Sequence, residues 1–263
     1  MRNLWNALAA EFLKVKNSRI IWVSFIAFGL APLMGGVFMI IMADPELAAQ
    51  STALTLKAKV MSVEANWSSF FHILTQAMGI GGIMVFGFVI SWIFGREYSE
   101  GTAKDLLSLP VSRTSILNAK FIVYIFWCFA LAISNIILGL ILGWFLGLPG
   151  FEYTILTEII KTYFVTTILT ILIGTPIAFF ALAGKGYLAP LGFVALSLVF
   201  AQIIAATGHG TYFPWSIPGI YSNSGGKALH DLLNLNSYLI LIATSIIGYL
   251  LSVTWWNYAD QHQ

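Results

Sequence analysis

The segment 95–113, Gly-Arg-Glu-Tyr-Ser-Glu-Gly-Thr-Ala-Lys-Asp-Leu-Leu-Ser-Leu-Pro-Val-Ser-Arg, gathers charge between two long apolar runs. Its chemistry is that of binding rather than catalysis. Thr102 and Asp105 stand at capping-box spacing, with a hydroxyl at the cap and an acid three residues on. Gly101 allows a sharp turn before them. Leu106, Leu107 and Leu109 follow, and Pro110 cannot continue a helix. Ser112 is placed to cap the next helix, which runs through Lys120 into an apolar stretch. The sequence therefore predicts a short helix bounded at both ends. Its leucines would form an apolar knob rimmed by Arg96, Glu97, Glu100, Lys104, Asp105 and Arg113, which is the anatomy of a docking surface. The same pattern also fits a solvated loop whose leucines lie back on the membrane.

Other chemistry is sparse. There is no Gly-x-x-x-x-Gly-Lys-Ser/Thr phosphate loop, no His-Glu-x-x-His and no Gly-x-Ser-x-Gly. Gly184-Lys185-Gly186 is a fragment that reads as a positively charged turn. Glu152 and Glu158 have no nearby base or metal ligand in the sequence. His209 and His230, the second beside Asp231, lack the ligand set a metal site needs. The chain is thus read as neither an ATPase nor a metalloprotein. Cys128, the single cysteine, sits in an apolar run and excludes an internal disulfide.

The elements that position these residues follow from composition. Apolar residues make up 59% of the chain and charged residues 9%, against about 25% charged in soluble domains. Such a chain cannot cover a water-facing surface, so lipid is its main solvent. Its net charge of +2 gives no footprint for nucleic acid. Only helices and closed barrels satisfy every backbone group in lipid. Barrels alternate in short segments, whereas the runs here are continuous. Six of them are long enough to span, at 20–42, 72–94, 121–147, 163–183, 188–206 and 238–258. The predicted fold is an all-α polytopic membrane protein. Residues 1–19 form an amphipathic interfacial helix and 20–263 a single six-span domain.

Orientation follows lysine and arginine. With the N-terminus inside, nine cations fall on the cytoplasmic side (Arg2, Lys14, Lys16, Arg19, Arg96, Lys104, Arg113, Lys120 and Lys185) and four outside (Lys57, Lys59, Lys161 and Lys227). Both termini are therefore expected in the cytoplasm of a cell membrane, with segment 95–113 on the same side. No secretory signal peptide is evident. In the N-terminal helix, Leu4, Leu8 and Phe12 form an apolar stripe flanked by Trp5 and Leu13, and Lys14, Lys16 and Arg19 end it beside anionic lipid. The loop 207–237 contains Tyr212-Phe213-Pro214-Trp215-Ser216-Ile217-Pro218-Gly219, a stiff apolar stretch expected to dip into the interface. Asn66-Trp67-Ser68 matches a glycosylation sequon and reads as chance.

The spans carry few ionisable groups at depth, which argues against an ion-coupled carrier. Gln76, Asn135 and Gln202 are the deep amides, and such groups usually bond helix to helix. Span 2 contains Gly79, Gly81, Gly82 and Gly87 with Met78, Met84, Phe86 and Phe88. Its adaptable apolar surface could line a path for an amphipathic substrate together with Gln202, or form a packed dimer seam. Gly174 and Pro176 predict a kink in span 4. Trp22, Trp92, Trp255 and Trp256 read as interfacial anchors.

The pattern Arg-Glu-Tyr-Ser-x-Gly-Thr, Leu-Leu-x-Leu-Pro-Val-Ser-Arg and a following Ala-Lys resembles the permease subunits of type-2 ABC exporters. It is most similar to short six-span permeases of bacitracin-type resistance and lantibiotic self-protection. The basic N-terminal helix, six spans and Pro-Trp-x-x-Pro segment extend the likeness over most of the chain. The resemblance implies that the loop after span 2 carries a coupling helix gripped by a separate cytosolic ABC ATPase, which would bind ATP and Mg. This chain itself would bind no cofactor. Arg96, Glu97, Tyr98, Glu100, Gly101, Thr102, Lys104 and Asp105 are the implied coupling residues. A second permease chain, identical or sister, and membrane lipid are the other implied partners. The implied function is ATP-driven export of an amphipathic compound, such as a peptide antibiotic or lipid-linked molecule. The alternative is a sensor or structural membrane subunit, with an intramembrane hydrolase as the enzyme-class rival.

Overall fold

A computed structural model of the chain describes residues 2–44, 64–103 and 111–258. Among these residues every regular element is helical, as expected where lipid leaves no water to pair backbone groups. In chain order the helices are α1 (Arg2–Lys16), α2 (Ile20–Ala43), α3 (Trp67–Ser99), α4 (Arg113–Phe145), α5 (Tyr153–Leu172), α6 (Thr175–Ala183), α7 (Leu188–Ala206), α8 (Ile217–Tyr221), α9 (Lys227–His230) and α10 (Leu235–Tyr258), with a 3-10 turn at Gly210–Tyr212. Six spans are long and apolar enough to cross a membrane: α2, α3, α4, α5 with α6, α7 and α10.

Local signals start and stop these helices. Asn66 begins α3, accepting the Ser69 N–H on Oδ1 at 2.9 Å, so the sequon-like residue is an N-cap. Ser112 caps α4, accepting the Ser115 N–H at 3.2 Å. α3 extends past both ends of the run 72–94, and α4 starts eight residues before the run 121–147, its polar first turns continuing the same helix, but stops at Phe145, two residues short. Span 4 breaks between Leu172 and Thr175. The Tyr124 hydroxyl donates to the Ile171 carbonyl at the break, at 3.1 Å, and the Thr175 hydroxyl donates to the Leu172 carbonyl at 3.0 Å. These bonds satisfy groups that an interrupted helix would otherwise leave open.

α3 and span 4 form the centre, while α2, α7 and α10 keep most of their surface outward. α10 packs chiefly on α6, α3 on α5, and α2 on α4. Two deep amides tie elements together: Asn135 joins helices, donating to the Phe28 carbonyl at 2.9 Å and accepting from the Tyr163 hydroxyl at 3.3 Å, and Gln76 ties α3 to the turn after α8 by donating to the Asn223 carbonyl at 3.4 Å. The loop before α10 folds onto the bundle, burying Ile217 and Ile220 against α3 and α5. Ser216 ties it by donating to the Gly210 and Phe213 carbonyls. Cys128 is buried and free.

Two expectations change. Trp22 is exposed as an anchor would be, but Trp256 is buried and donates its indole N–H to the Arg113 carbonyl at 3.0 Å. It latches the end of α10 to the start of α4 instead of facing lipid. α1, moreover, does not present only a membrane stripe. It lies against α4, buries Glu11 and Val15 with Leu8 half-buried, and leaves Trp5, Phe12 and Leu13 exposed. It is a docked element with a second apolar face.

Candidate functional site

The end of α3 is built as a Schellman cap. The Thr102 N–H bonds the Glu97 carbonyl at 2.9 Å and the Gly101 N–H bonds the Tyr98 carbonyl at 3.3 Å. Gly101 takes φ +71°, a left-handed conformation that glycine adopts without steric cost. The turn stops α3 and redirects the chain at Thr102. Lys104, Asp105 and the two-turn helix expected after Thr102 lie outside the described residues.

The coupling candidates divide at this cap. Glu100 is exposed and receives the Arg96 Nε at 3.0 Å. Arg96 is half-buried, with its guanidinium 5.0 Å over the Trp92 ring. Tyr98 is half-buried and edge-on to Trp256, 6.4 Å between centroids. Gly101 and Thr102 are exposed. Glu97 points the other way, into the protein, and is 3% exposed.

Glu97 sits at the centre of a buried charge cluster. Its Oε1 receives Lys120 Nζ at 2.6 Å and Lys14 Nζ at 3.0 Å. Lys120 also donates to Glu11 Oε2 at 3.1 Å and to the Ile93 carbonyl at 3.1 Å, while Lys14 reaches Glu11 Oε1 at 2.6 Å. Two acids and two bases thus cancel, and three helices (α1, α3 and α4) are tied at one point. Low dielectric strengthens such pairs and penalises any member left alone. Lys120, counted above among the loop cations, is 1% exposed and belongs to this cluster.

Glu11, Lys14 and Lys120 were not singled out for this role. A signal exists in the periodicity. Glu11 follows Leu8 and precedes Val15 on the buried side of α1, and Lys120 sits between Ile116, Leu117 and Val123, Tyr124, all buried. A charge on an apolar stripe at helical spacing needs a partner.

The substrate-path candidates also separate. Met78 and Phe86 are fully buried in the core, where Phe86 stands 5.8 Å from Phe28. They are packing residues in this conformation because α3 is enclosed by α5, α7 and α2. Met84 is exposed and Phe88 half-buried. Gln202 is exposed and borders a groove of about 490 Å³ between the end of α7 and α9, with Ala205, Gly225, Leu229 and Leu232. Gln202 also lines an adjoining cleft that reaches Gly79 and Ile83 of α3 and Trp215 of the loop before α10.

His209 and His230 are served locally, by the Thr207 carbonyl at 3.1 Å and by Asp231 at 3.5 Å. Among the described residues no group of three or more His, Cys, Asp or Glu could hold a metal ion.

Comparison with known proteins matches this architecture. Residues 7–202 match the ABC-2 family transporter proteins. The bacitracin transport permease protein BCRB of Bacillus licheniformis is 26% identical over 181 residues, covering 69% of this chain and 86% of that protein. The family match contains α1 from residue 7 on, the capped end of α3 and the charge cluster. With six membrane-spanning helices and three quarters of its length inside the family pattern, the chain belongs to the ABC-2 transporter family and is a permease subunit of an ABC exporter.

Proposed function

We propose that this permease forms one half of an ATP-driven export path, with both termini cytoplasmic and a separate ABC ATPase gripping the segment that leaves α3. ATP and Mg belong to that ATPase, and a second permease chain, identical or sister, completes the path. The observation that carries the reading is the joint at Glu97. The cap presents Glu100, Gly101 and Thr102, all exposed, toward a partner, with Arg96 behind them holding Glu100 through its Nε. Directly beneath it Glu97 ties α3 to α1 and α4. Motion delivered to the cap would therefore move three helices together. In this reading Glu100 is a contact residue, Lys104 and Asp105 extend the gripped surface, and Glu97 is a positioning residue.

The cargo we propose is amphipathic, a peptide antibiotic being the class suggested by the name of the bacitracin permease relative. The groove beside Gln202, apolar along Leu229 and Leu232 with one amide, suits such a molecule.

Two experiments test these assignments. Cysteine at Lys16 is expected to resist a membrane-impermeant thiol reagent in intact cells, while cysteine at Asp231 reacts. Both positions are exposed and Cys128 is buried. The orientation rests on eight loop cations inside against four outside once Lys120 is placed in the core, and the opposite labelling would refute it. Second, Glu100→Arg should leave membrane abundance unchanged, since an exposed ion pair contributes about 0–1 kcal/mol. It should reduce co-purification of the ATPase and lower resistance or export several-fold. Normal values of both would remove Glu100 from the coupling surface. Loss of abundance would mean that Glu100 supports the fold.

A further inference from the structure

The end of α1, the start of α2 and the end of α3 enclose a crevice of about 590 Å³. Lys14, Arg19 and Arg96 line it, with Glu100 at its rim and Leu13 and Trp92 as apolar walls. Lys14 is committed to Glu11 and Glu97, whose charges Lys14 and Lys120 together balance. Arg19 and Arg96 set against Glu100 then leave one net positive charge in the crevice.

Arg96 is held in place at the wall of the crevice. Its Nε is fixed by Glu100 and its plane lies 5.0 Å over Trp92. Its Nη1 is buried and has no hydrogen-bond partner among the described residues. The side chain as a whole keeps 24% of its surface open on the crevice wall, and that exposed part of the guanidinium can donate to an oxyanion held there. Ile20, the first residue of α2, lines the same crevice, and its N–H donates to the Ser18 hydroxyl at 3.2 Å. The N-terminal end of α2 adds a partial positive charge to the field. Beside the cations, Leu13 is exposed, so an occupant with an apolar portion fits better than a bare ion.

We propose that this crevice binds the phosphate of an anionic phospholipid headgroup, with Arg96 and Arg19 donating to its oxygens and Leu13 and Trp92 contacting its glycerol and upper acyl region. A basic pocket between spans, at headgroup depth, is the physical setting for such recognition. The lipid would also bridge α1 to α3 beside the Glu97 cluster.

The test uses the full chain, purified in detergent, stripped of lipid and incubated with an equimolar mixture of phosphatidylglycerol and phosphatidylcholine. Bound lipid is then counted by native mass spectrometry. Phosphatidylglycerol should be retained preferentially. Arg19→Gln and Arg96→Gln should each lower that preference about fivefold, the value of one cation near a lipid surface, and excess inorganic phosphate should not displace the lipid. Equal retention of the two lipids would overturn the proposal. So would an unchanged preference in Arg19→Gln, whose exposed position makes it safe for folding even if Arg96→Gln fails to accumulate. Displacement by inorganic phosphate would assign the site to a free anion and overturn the lipid assignment.

Discussion

Lys120→Met is expected to lower the stability of the purified chain by about 3–5 kcal/mol, the range for removing one partner of a buried ion pair. Lys120 is 1% exposed and donates to Glu97, Glu11 and the Ile93 carbonyl. Methionine fills similar space but supplies no charge, so two buried acids would share Lys14 alone. Lys14→Met should cost less, because the Lys14 side chain is 29% exposed and water can replace part of its role. The double change Glu97→Gln with Lys120→Met should recover part of the loss, since it removes an acid together with its base. Thermal unfolding in detergent, with membrane abundance as a second readout, checks all three. If Lys120→Met unfolds like the parent chain, or if the double variant is no more stable than Lys120→Met alone, the cluster is not a coupled unit. The same geometry alters what charge reversal at Glu97 would report. It would break the fold at the joint before it tested any contact with an ATPase, which is why Glu100 is the cleaner probe.

Gly95→Ala is expected to destabilise the chain by about 1–3 kcal/mol, the cost of overpacking a closed interface. A Cβ at Gly95 would lie 2.5 Å from the carbonyl carbon of Gly186 and 2.7 Å from the Tyr187 nitrogen. Both are backbone atoms in the turn between α6 and α7, so no side-chain rotation relieves the clash. Gly95→Val should fail to accumulate in membranes. Gly81→Ala is the control, because a Cβ there meets nothing within 4 Å. Alanine gains helix propensity over glycine by up to about 1 kcal/mol, so that variant should be neutral or slightly stabilised. Equal stability of Gly95→Ala and Gly81→Ala would show that the turn yields without cost. The position also matters for motion, since Gly95 is two residues from Glu97. The span 4–5 connection therefore touches α3 beside the charge joint, and a stability loss here should be accompanied by reduced export in any surviving protein.

Short-range physics settles much of this chain from its residues alone. The six spans follow from continuous apolar runs, because lipid permits no other use for them. Ser112 as a cap, the turn at Gly101 and the break at Gly174 and Pro176 each depend on a few neighbouring residues. The Asn66 cap is equally local, although the same three residues also spell a sequon. The tertiary structure alone decided which charges meet. Glu97 joins Lys120 across 23 positions and Lys14 across 83, and Lys120 reaches Glu11 across 109. No local pattern specifies those pairings, and the same residues read equally well as loop cations and a docking acid. Burial followed the same rule. Met78, Phe86 and Trp256 look alike in sequence whether they face lipid, cargo or a neighbouring helix, since hydropathy reports how apolar a side chain is and not which surface covers it. Only the packing of α3 inside α2, α5 and α7, and of α10 against α4, assigned them to the core.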